Sequence, residues 1–477
     1  MNQLKSNRKF LIFCFVYIIF CLNIFFTSCK GKKEDNYFNI KEVAKEKTVQ
    51  EIKELHGIVK EAAMNTLIVT SKGKDYHFMT TDVDVTTEET GILIDNPVLV
   101  YYRGILKENS DGEEVEIVKI QVMDKKDIIN EKSNENIDTQ EVIKNKALEI
   151  LDRMSIEEKV GQMFIARSPR SEAAEKVKEY NLGGYILFAR DFADKKKDEI
   201  IANIENYQNA AKISMFIGVD EEGGTVNRVS KNRNLRAVPF WSPQALYETG
   251  GYTLIKSDTK EKCNLLKSLG INLNFSPVCD VSTDSKDFIY ERSFGKNAEE
   301  TSKYIELVVK TMKNENMGSV LKHFPGYGNN ADTHMGIVYD KRSYESFEKY
   351  DFLPFKAGIN AGASMVLVSH NVVSAMDEDN PASISPKIHD ILRNELGFVG
   401  QIITDDLAME GVRGFATDGE IAVKAVEAGN DLLCSSNIEI QIPAVIEAVK
   451  DGKIKEKIID EAVLRILKTK IKLGIIK

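Results

Sequence analysis

From residue 144 onward, short runs of consecutive apolar residues alternate with longer stretches in which apolar positions recur every three to four residues. The runs are GQMFIAR (161–167), GGYILFAR (183–190), MFIGVD (215–220), INLNFSPVCDV (271–281), GSVLKHF (318–324), ASMVLVSH (363–370), GQIITDD (400–406) and GNDLLCS (429–435). Stretches such as KDEIIANIENYQNAAK and TSKYIELVVKTMKNEN between them carry the helical period. A run that is apolar at every position predicts a strand covered on both faces, the habit of parallel sheets. Eight strand–helix units over 144–477 predict an α/β fold, a (β/α)8 TIM-type barrel. An open doubly wound sheet is the alternative, but no G-x-G-x-x-G follows the first strand.

The texture differs before residue 144. Over 50–125, HGIVK, NTLIVTSK, DYHFMT, PVLVYYRGIL and VEIVKIQV are short runs of β-branched and aromatic residues broken by Gly, Asp or Asn. They suggest a small β-rich domain, an antiparallel barrel of OB-like type. Residues 126–143 are polar, poor in aromatics and read as a linker.

The N-terminus has its own pattern. MNQLKSNRK is basic, Phe10 to Phe26 is unbroken apolar sequence, and TSCKGKKED follows. This resembles a bacterial lipoprotein signal over residues 1–29, with Cys29 as the lipidated residue and 30–49 as a polar tether. Phe26 stands where such signals usually carry Leu. An uncleaved signal anchor is the alternative, since the apolar run approaches the length of a membrane span. Either reading places the body of the protein outside the cytoplasmic membrane, facing outward and held to it by the anchor.

Composition narrows the classes. The 477 residues are 43% hydrophobic, enough for a large core, and the formal net charge is −9. Basic and acidic residues, 64 against 73, are well mixed, so no basic stripe marks a nucleic-acid partner. Beyond Cys14, Cys21 and Cys29, only Cys263, Cys279 and Cys434 remain, without CxxC or His spacing. They read as small buried hydrophobes rather than a disulfide framework or metal site.

A barrel concentrates chemistry at the C-terminal ends of its strands, and there the polar residues gather. The third run ends in Asp220-Glu221-Glu222-Gly223-Gly224, with Arg228 soon after. Glu291 and Arg292 follow the fourth, and Lys322-His323 end the fifth. His370-Asn371 and Asp405-Asp406 end the sixth and seventh. Each could cap a helix, but five charged loops on one rim point to an active site. A strand-end carboxylate as nucleophile with a second group as acid/base is the glycosidase plan.

VDEEGGTVNR (219–228), ERSFG (291–295), KHFPGYGNNADTH (322–334) and ELGFVGQIITDDLAM (395–409) resemble glycoside hydrolase family 3, in its β-N-acetylglucosaminidase branch. The resemblance runs over 146–477. It implies a retaining exo-β-N-acetylglucosaminidase that removes terminal β-linked GlcNAc, from peptidoglycan fragments, without metal or organic cofactor. By the same resemblance Asp405 is the nucleophile, while Asp332 and His334 form an acid/base pair on a mobile loop. Asp220, Arg228, Arg292, Lys322, His323 and His370 match substrate-binding positions, His323 and His370 with structural roles as alternatives. Phe324-Pro325-Gly326 turns the chain out of the barrel and Asn329 and Asn330 favour loop conformations, so the Asp332–His334 pair is expected to lie away from Asp405 without sugar and to swing in when sugar binds. Asp406, beside the nucleophile, is expected to cap or orient. The chain departs from the family at Tyr327, where a histidine is common, and at Thr225, where an arginine is. Two other readings are a family relative cleaving β-glucosides or β-xylosides, and an inactive carbohydrate-binding lipoprotein.

Overall fold

The computed structural model describes residues 52–63, 66–71, 73–80, 84–86, 92–94, 96–106, 115–122, 139–333 and 336–477. The chain divides into two compact units, Met1–Asn130 and Glu131–Lys477. Among the described residues no helix is long and apolar enough to cross a membrane; the run Phe10–Phe26 and Cys29 lie outside them.

In the first unit, β1 (Lys53–Ala63), β2 (Thr66–Ser71), β3 (Lys74–Met79), β4 (Asp84–Thr86), β5 (Pro97–Gly104) and β6 (Val115–Val122) form one sheet in the order β3-β2-β1-β5-β6-β4. Only β4 and β6 run parallel. Val59, Leu67, Val69, Phe78, Val98, Val100 and Ile120 come from alternating strand positions and make its apolar core.

The second unit contains the barrel. Its strands are β7 (Phe164–Arg167), β8 (Gly184–Leu187), β9 (Phe216–Val219), β10 (Leu273–Asn274) and β11 (Gly318–Phe324). After a small outlying pair, β12 (Tyr339–Asp340) with β14 (Val372–Val373), come β13 (Met365–Val368), β15 (Gln401–Thr404) and β16 (Leu433–Ser435). Each barrel strand pairs in parallel with its neighbour along the chain, and β16 pairs with β7. A parallel bridge between Ile403 and Leu432 closes the ring. All eight apolar runs therefore supply barrel strands. Helices cover their outer faces, so Ile165, Ile217, Val320, Val366 and Ile402 are fully buried.

Two boundaries move. The run 271–281 yields only Leu273–Asn274 as strand, because Pro277 has no N–H to offer the ladder; pairing resumes at Val278 with Lys322. Residues 139–151 are helical, so a helix occupies the end of the stretch read as a linker. Cys263, Cys279 and Cys434 are free and buried, as their spacing suggested.

The last helix, Glu456–Lys472, places one charge where none was anticipated. Lys470 is fully buried, donates to Gln162 Oε1 at 2.7 Å and lies 5.0 Å from the Phe216 ring centre. Burial pushes its pKa down to about 7, against 10.5 in the unfolded chain. The unfolded chain therefore binds more protons between those values, and stability rises with pH across that window. Urea unfolding should show wild type gaining roughly 2 kcal/mol relative to Lys470→Met between pH 7 and pH 9. Equal pH slopes for the two proteins would contradict a neutralised Lys470.

Candidate active site

Parallel strands deliver their C-terminal ends to one rim. The segment after β9 is shaped by Glu221, whose fully buried carboxylate accepts from the backbone N–H of Arg228 and Val229, at 2.7 Å each, and of Ser230 at 3.0 Å. The Ser230 hydroxyl also donates to it. This folds 221–230 into a tight loop. Gly223 sits at φ +106°, and a Cβ there would stand 2.2 Å from the Trp241 carbonyl oxygen, so no other residue fits. The loop returns the Arg228 guanidinium to within 4.0 Å of Asp220 Oδ2.

Glu222 occupies the centre of the rim. One of its carboxylate oxygens is 2.6 Å from Lys322 Nζ, and Arg292 grips the group in bidentate fashion at 2.8 and 3.1 Å. Burial alone would raise this carboxyl's pKa; Lys322 and Arg292 outweigh burial and hold it far below the usual carboxylate range. Lys322 also donates to Asp220 Oδ1 at 2.7 Å, so one ammonium ties two carboxylates together.

Arg292 reaches His323 as well, with Nη2 3.2 Å from Nε2. A guanidinium can only donate, so Nε2 accepts and the ring proton sits on Nδ1. From there it is donated to Asp280 Oδ2 at 2.8 Å, and Asp280 also accepts from the backbone N–H of His323 and Tyr327. Both ring nitrogens of His323 are thus taken up by protein. The geometry gives it an orienting role between Asp280 and Arg292 rather than a free hydrogen-bonding edge for sugar. His370 behaves similarly: fully buried, it contacts Ser383 Oγ at 2.7 Å through Nδ1 and donates from Nε2 to the Asp406 carbonyl at 3.0 Å.

The two aspartates after β15 part company. Asp406 Oδ1 accepts from the backbone N–H of Ala408 and Ser436, at 3.0 Å each, and Oδ2 accepts from the Ser436 hydroxyl. Asp406 therefore orients the turn and ties it to the end of β16. Asp405, half-buried, accepts from the Asp406 N–H at 2.9 Å. Asp220 and Asp405 share one region of the rim. After burial, it is Asp406, Asp405 and Asp220 that push the Cys434 thiol well above its ordinary pKa.

The segment following β11 is tied down over its described part. Tyr327 is buried and its hydroxyl meets Thr333 Oγ1 at 2.6 Å; Thr333 is fully buried and its carbonyl accepts from the Gly411 N–H at 3.1 Å. Asn330 donates to Asp340 at 2.6 Å, and Arg342 donates to the Gly326 carbonyl at 2.9 Å. The described part of this loop is thus held by hydrogen bonds at Tyr327, Asn330 and Thr333. Asp332 lies on this loop, partly exposed, and with Asp405 it adds to the field that, after burial, raises the Tyr327 phenol. His334 lies outside the described residues.

Glu222 and Asp280 were not singled out from sequence. Asp280 had a visible signal, a charge inside the apolar run INLNFSPVCDV; Glu222 was one of three consecutive acids with nothing to separate their roles. Among the described residues no group of three or more His, Cys, Asp and Glu side chains could hold a metal ion.

Neutralising Glu222 strands two buried cations. Glu222→Gln should lower stability by roughly 3 kcal/mol in urea unfolding. Glu306→Gln, which breaks an exposed helix pair with Lys310, should change it by under about 0.5 kcal/mol. Similar costs for the two would contradict a central role for the network.

Residues 155–469 match the family model described as glycosyl hydrolase family 3 N terminal domain. The chain is 32% identical over 269 residues to a β-hexosaminidase of Nitrosomonas eutropha, a match covering 54% of this chain and 74% of that protein. It superposes with a TM-score of 0.63 on a family 3 β-N-acetylglucosaminidase of a Paenibacillus species, at 29% identity, covering 68% of this chain and 63% of the other. With a β-N-acetylhexosaminidase of Beutenbergia cavernae the TM-score is 0.60 at 25% identity, covering 66% and 98%. The family match spans most of the chain and the whole rim built by Asp220, Glu222, Arg292, Lys322 and Asp405, so this protein belongs to glycosyl hydrolase family 3.

Proposed function

We propose that the protein is a retaining exo-β-N-acetylglucosaminidase that removes terminal β-linked GlcNAc from peptidoglycan fragments, outside the cytoplasmic membrane and anchored through a lipidated Cys29. The observation that carries the chemistry is the division of labour at the end of β15. Asp406 is consumed by backbone and Ser436, while Asp405 stands on the same rim as Asp220 and the Glu222–Lys322–Arg292 network. The similarity to β-hexosaminidases supports the choice of sugar.

In this reading Asp220 accepts hydrogen bonds from sugar hydroxyls, while Arg228 and Lys322 donate to sugar oxygens. Glu222, Arg292 and His323 hold those groups in place before substrate arrives. Asp405 attacks the anomeric carbon as the bond to the leaving oxygen breaks, and His334 protonates that oxygen. A neutral His334 then takes a proton from water as it attacks the same carbon. This releases Asp405 and retains configuration. A histidine suits both steps because its pKa lies near neutrality, and Asp332 two residues earlier supplies the charge that orients it.

Support for an acidic aglycone comes from a neighbouring cleft of about 400 Å³. Arg167, Arg170 and Arg190 line it together with Ser436, the residue that binds Asp406, and its one lining carboxylate among the described residues, Glu439, is already paired with Lys176 at 3.1 Å. Arg167 packs 4.5 Å from the centre of the Phe188 ring, and Arg228 lies 6.0 Å from the same centre. The arginines thus run from the sugar site to the cleft, where they can receive the lactyl carboxylate of an N-acetylmuramic acid unit.

Two outcomes follow for the full-length enzyme. Aryl β-GlcNAc should be turned over in preference to aryl β-glucoside, and Asp405→Asn should reduce kcat by a factor on the order of 1000 or more. Activity surviving in Asp405→Asn would remove the nucleophile assignment, and preference for the glucoside would remove the sugar assignment. Arg167→Ala combined with Arg170→Ala should raise KM about tenfold for GlcNAc–N-acetylmuramic acid, while leaving aryl β-GlcNAc kinetics unchanged. Parallel losses on both substrates would contradict a carboxylate subsite.

A further inference from the structure

At the other end of the barrel, by the N-terminal ends of β11, β13 and β15, lies a cavity of about 520 Å³. Lys313, Arg465, Lys468 and Lys472 line it, and among the described residues no carboxylate does. Arg465 is already matched by Asp431 at 3.0 Å. Among the described residues, Lys313, Lys468 and Lys472 make no ion pair, although nearby Lys267 is paired with Glu315. The three ammonium groups are close enough to be felt: after burial, Lys313 and Lys468 push the Lys472 pKa below its ordinary value.

Helix ends account for only part of this. Lys313 and Lys472 lie in the last turns of the helices Ala298–Asn314 and Glu456–Lys472, where each separately complements the dipole. The dipole gives no reason for three to converge over one cavity. A chain with formal net charge −9 has carboxylates to spare, and none of the described residues places one in this lining. Met317, Phe398 and Leu473 add apolar lining, and Val399, also in the lining, is 87% exposed. A lining that mixes ammonium groups with apolar side chains suits an anion attached to a small organic group.

We propose that this cavity binds a phosphate-bearing ligand, with Lys313, Lys468 and Lys472 holding the phosphate and the apolar lining, Val399 included, meeting the organic part. Phosphate matches three ammonium groups better than a single carboxylate does, because it carries more charge and more acceptor oxygens. The site is on the opposite end of the barrel from Asp405 and does not depend on the proposed activity.

The test compares full-length wild type with the Lys468→Gln/Lys472→Gln double variant at fixed ionic strength. Unfolding midpoints without ligand confirm that both fold. Glycerol 3-phosphate is titrated by calorimetry, and flotation is measured with vesicles of phosphatidylglycerol or phosphatidylcholine. Saturable glycerol 3-phosphate binding, weakened at least about tenfold in the variant, is expected for a soluble phosphate ester. Preference for phosphatidylglycerol that the variant loses, without glycerol 3-phosphate binding, would assign the phosphate to a lipid headgroup. Absence of binding in both arms, or binding equal in the two proteins, would overturn the proposal.

Discussion

The Glu222 carboxylate, gripped by Arg292 and Lys322 in the mouth of the barrel, is the constraint on which the rest of the site depends. Burying a carboxylate is costly, and only charged partners at hydrogen-bond distance make it tolerable. Each partner brings a further element under control. Lys322 fixes Asp220 on β9, while Arg292 reaches from the segment after β10 to His323 and so to Asp280. Three strand ends, those of β9, β10 and β11, are thereby locked through ionic contacts that leave little freedom of orientation. A transition state that develops positive charge at a sugar carbon is served by such a fixed field, because nothing has to reorganise as charge appears.

Much of this was legible in the sequence, and the reasons differ residue by residue. The strands could be read because a parallel barrel demands runs apolar at every position, a pattern helices of this length do not produce. Asp220, Lys322 and Asp405 could be read because each ends such a run, where the fold places side chains on the rim. Glu222 and Asp280 could not be ranked, because their importance lies in partners more than 40 residues away. For His323 the sequence offered sugar contact and a structural role side by side, and choosing between them needs the donor geometry of Arg292. Lys470 was hidden inside an ordinary amphipathic pattern; only packing against Phe216 and Gln162 reveals it as buried.

The substitution of tyrosine for the family's usual histidine at 327 also acquires a physical meaning. Its ring packs edge-on against His323 at 5.1 Å, while its hydroxyl holds Thr333. The same residue therefore touches the fixed rim and the segment that carries Asp332. The loop and the rim are thereby coupled through one side chain.

The central claim is that Asp405, rather than Asp406 or Asp220, bonds to the sugar. The direct measurement is peptide mass mapping after incubation with a fluorinated β-N-acetylglucosaminyl substrate that forms the glycosyl-enzyme quickly and loses it slowly. A single added sugar on Asp405 is the predicted result. A sugar on Asp406 or Asp220, or hydrolysis with inversion and no adduct, would contradict the account.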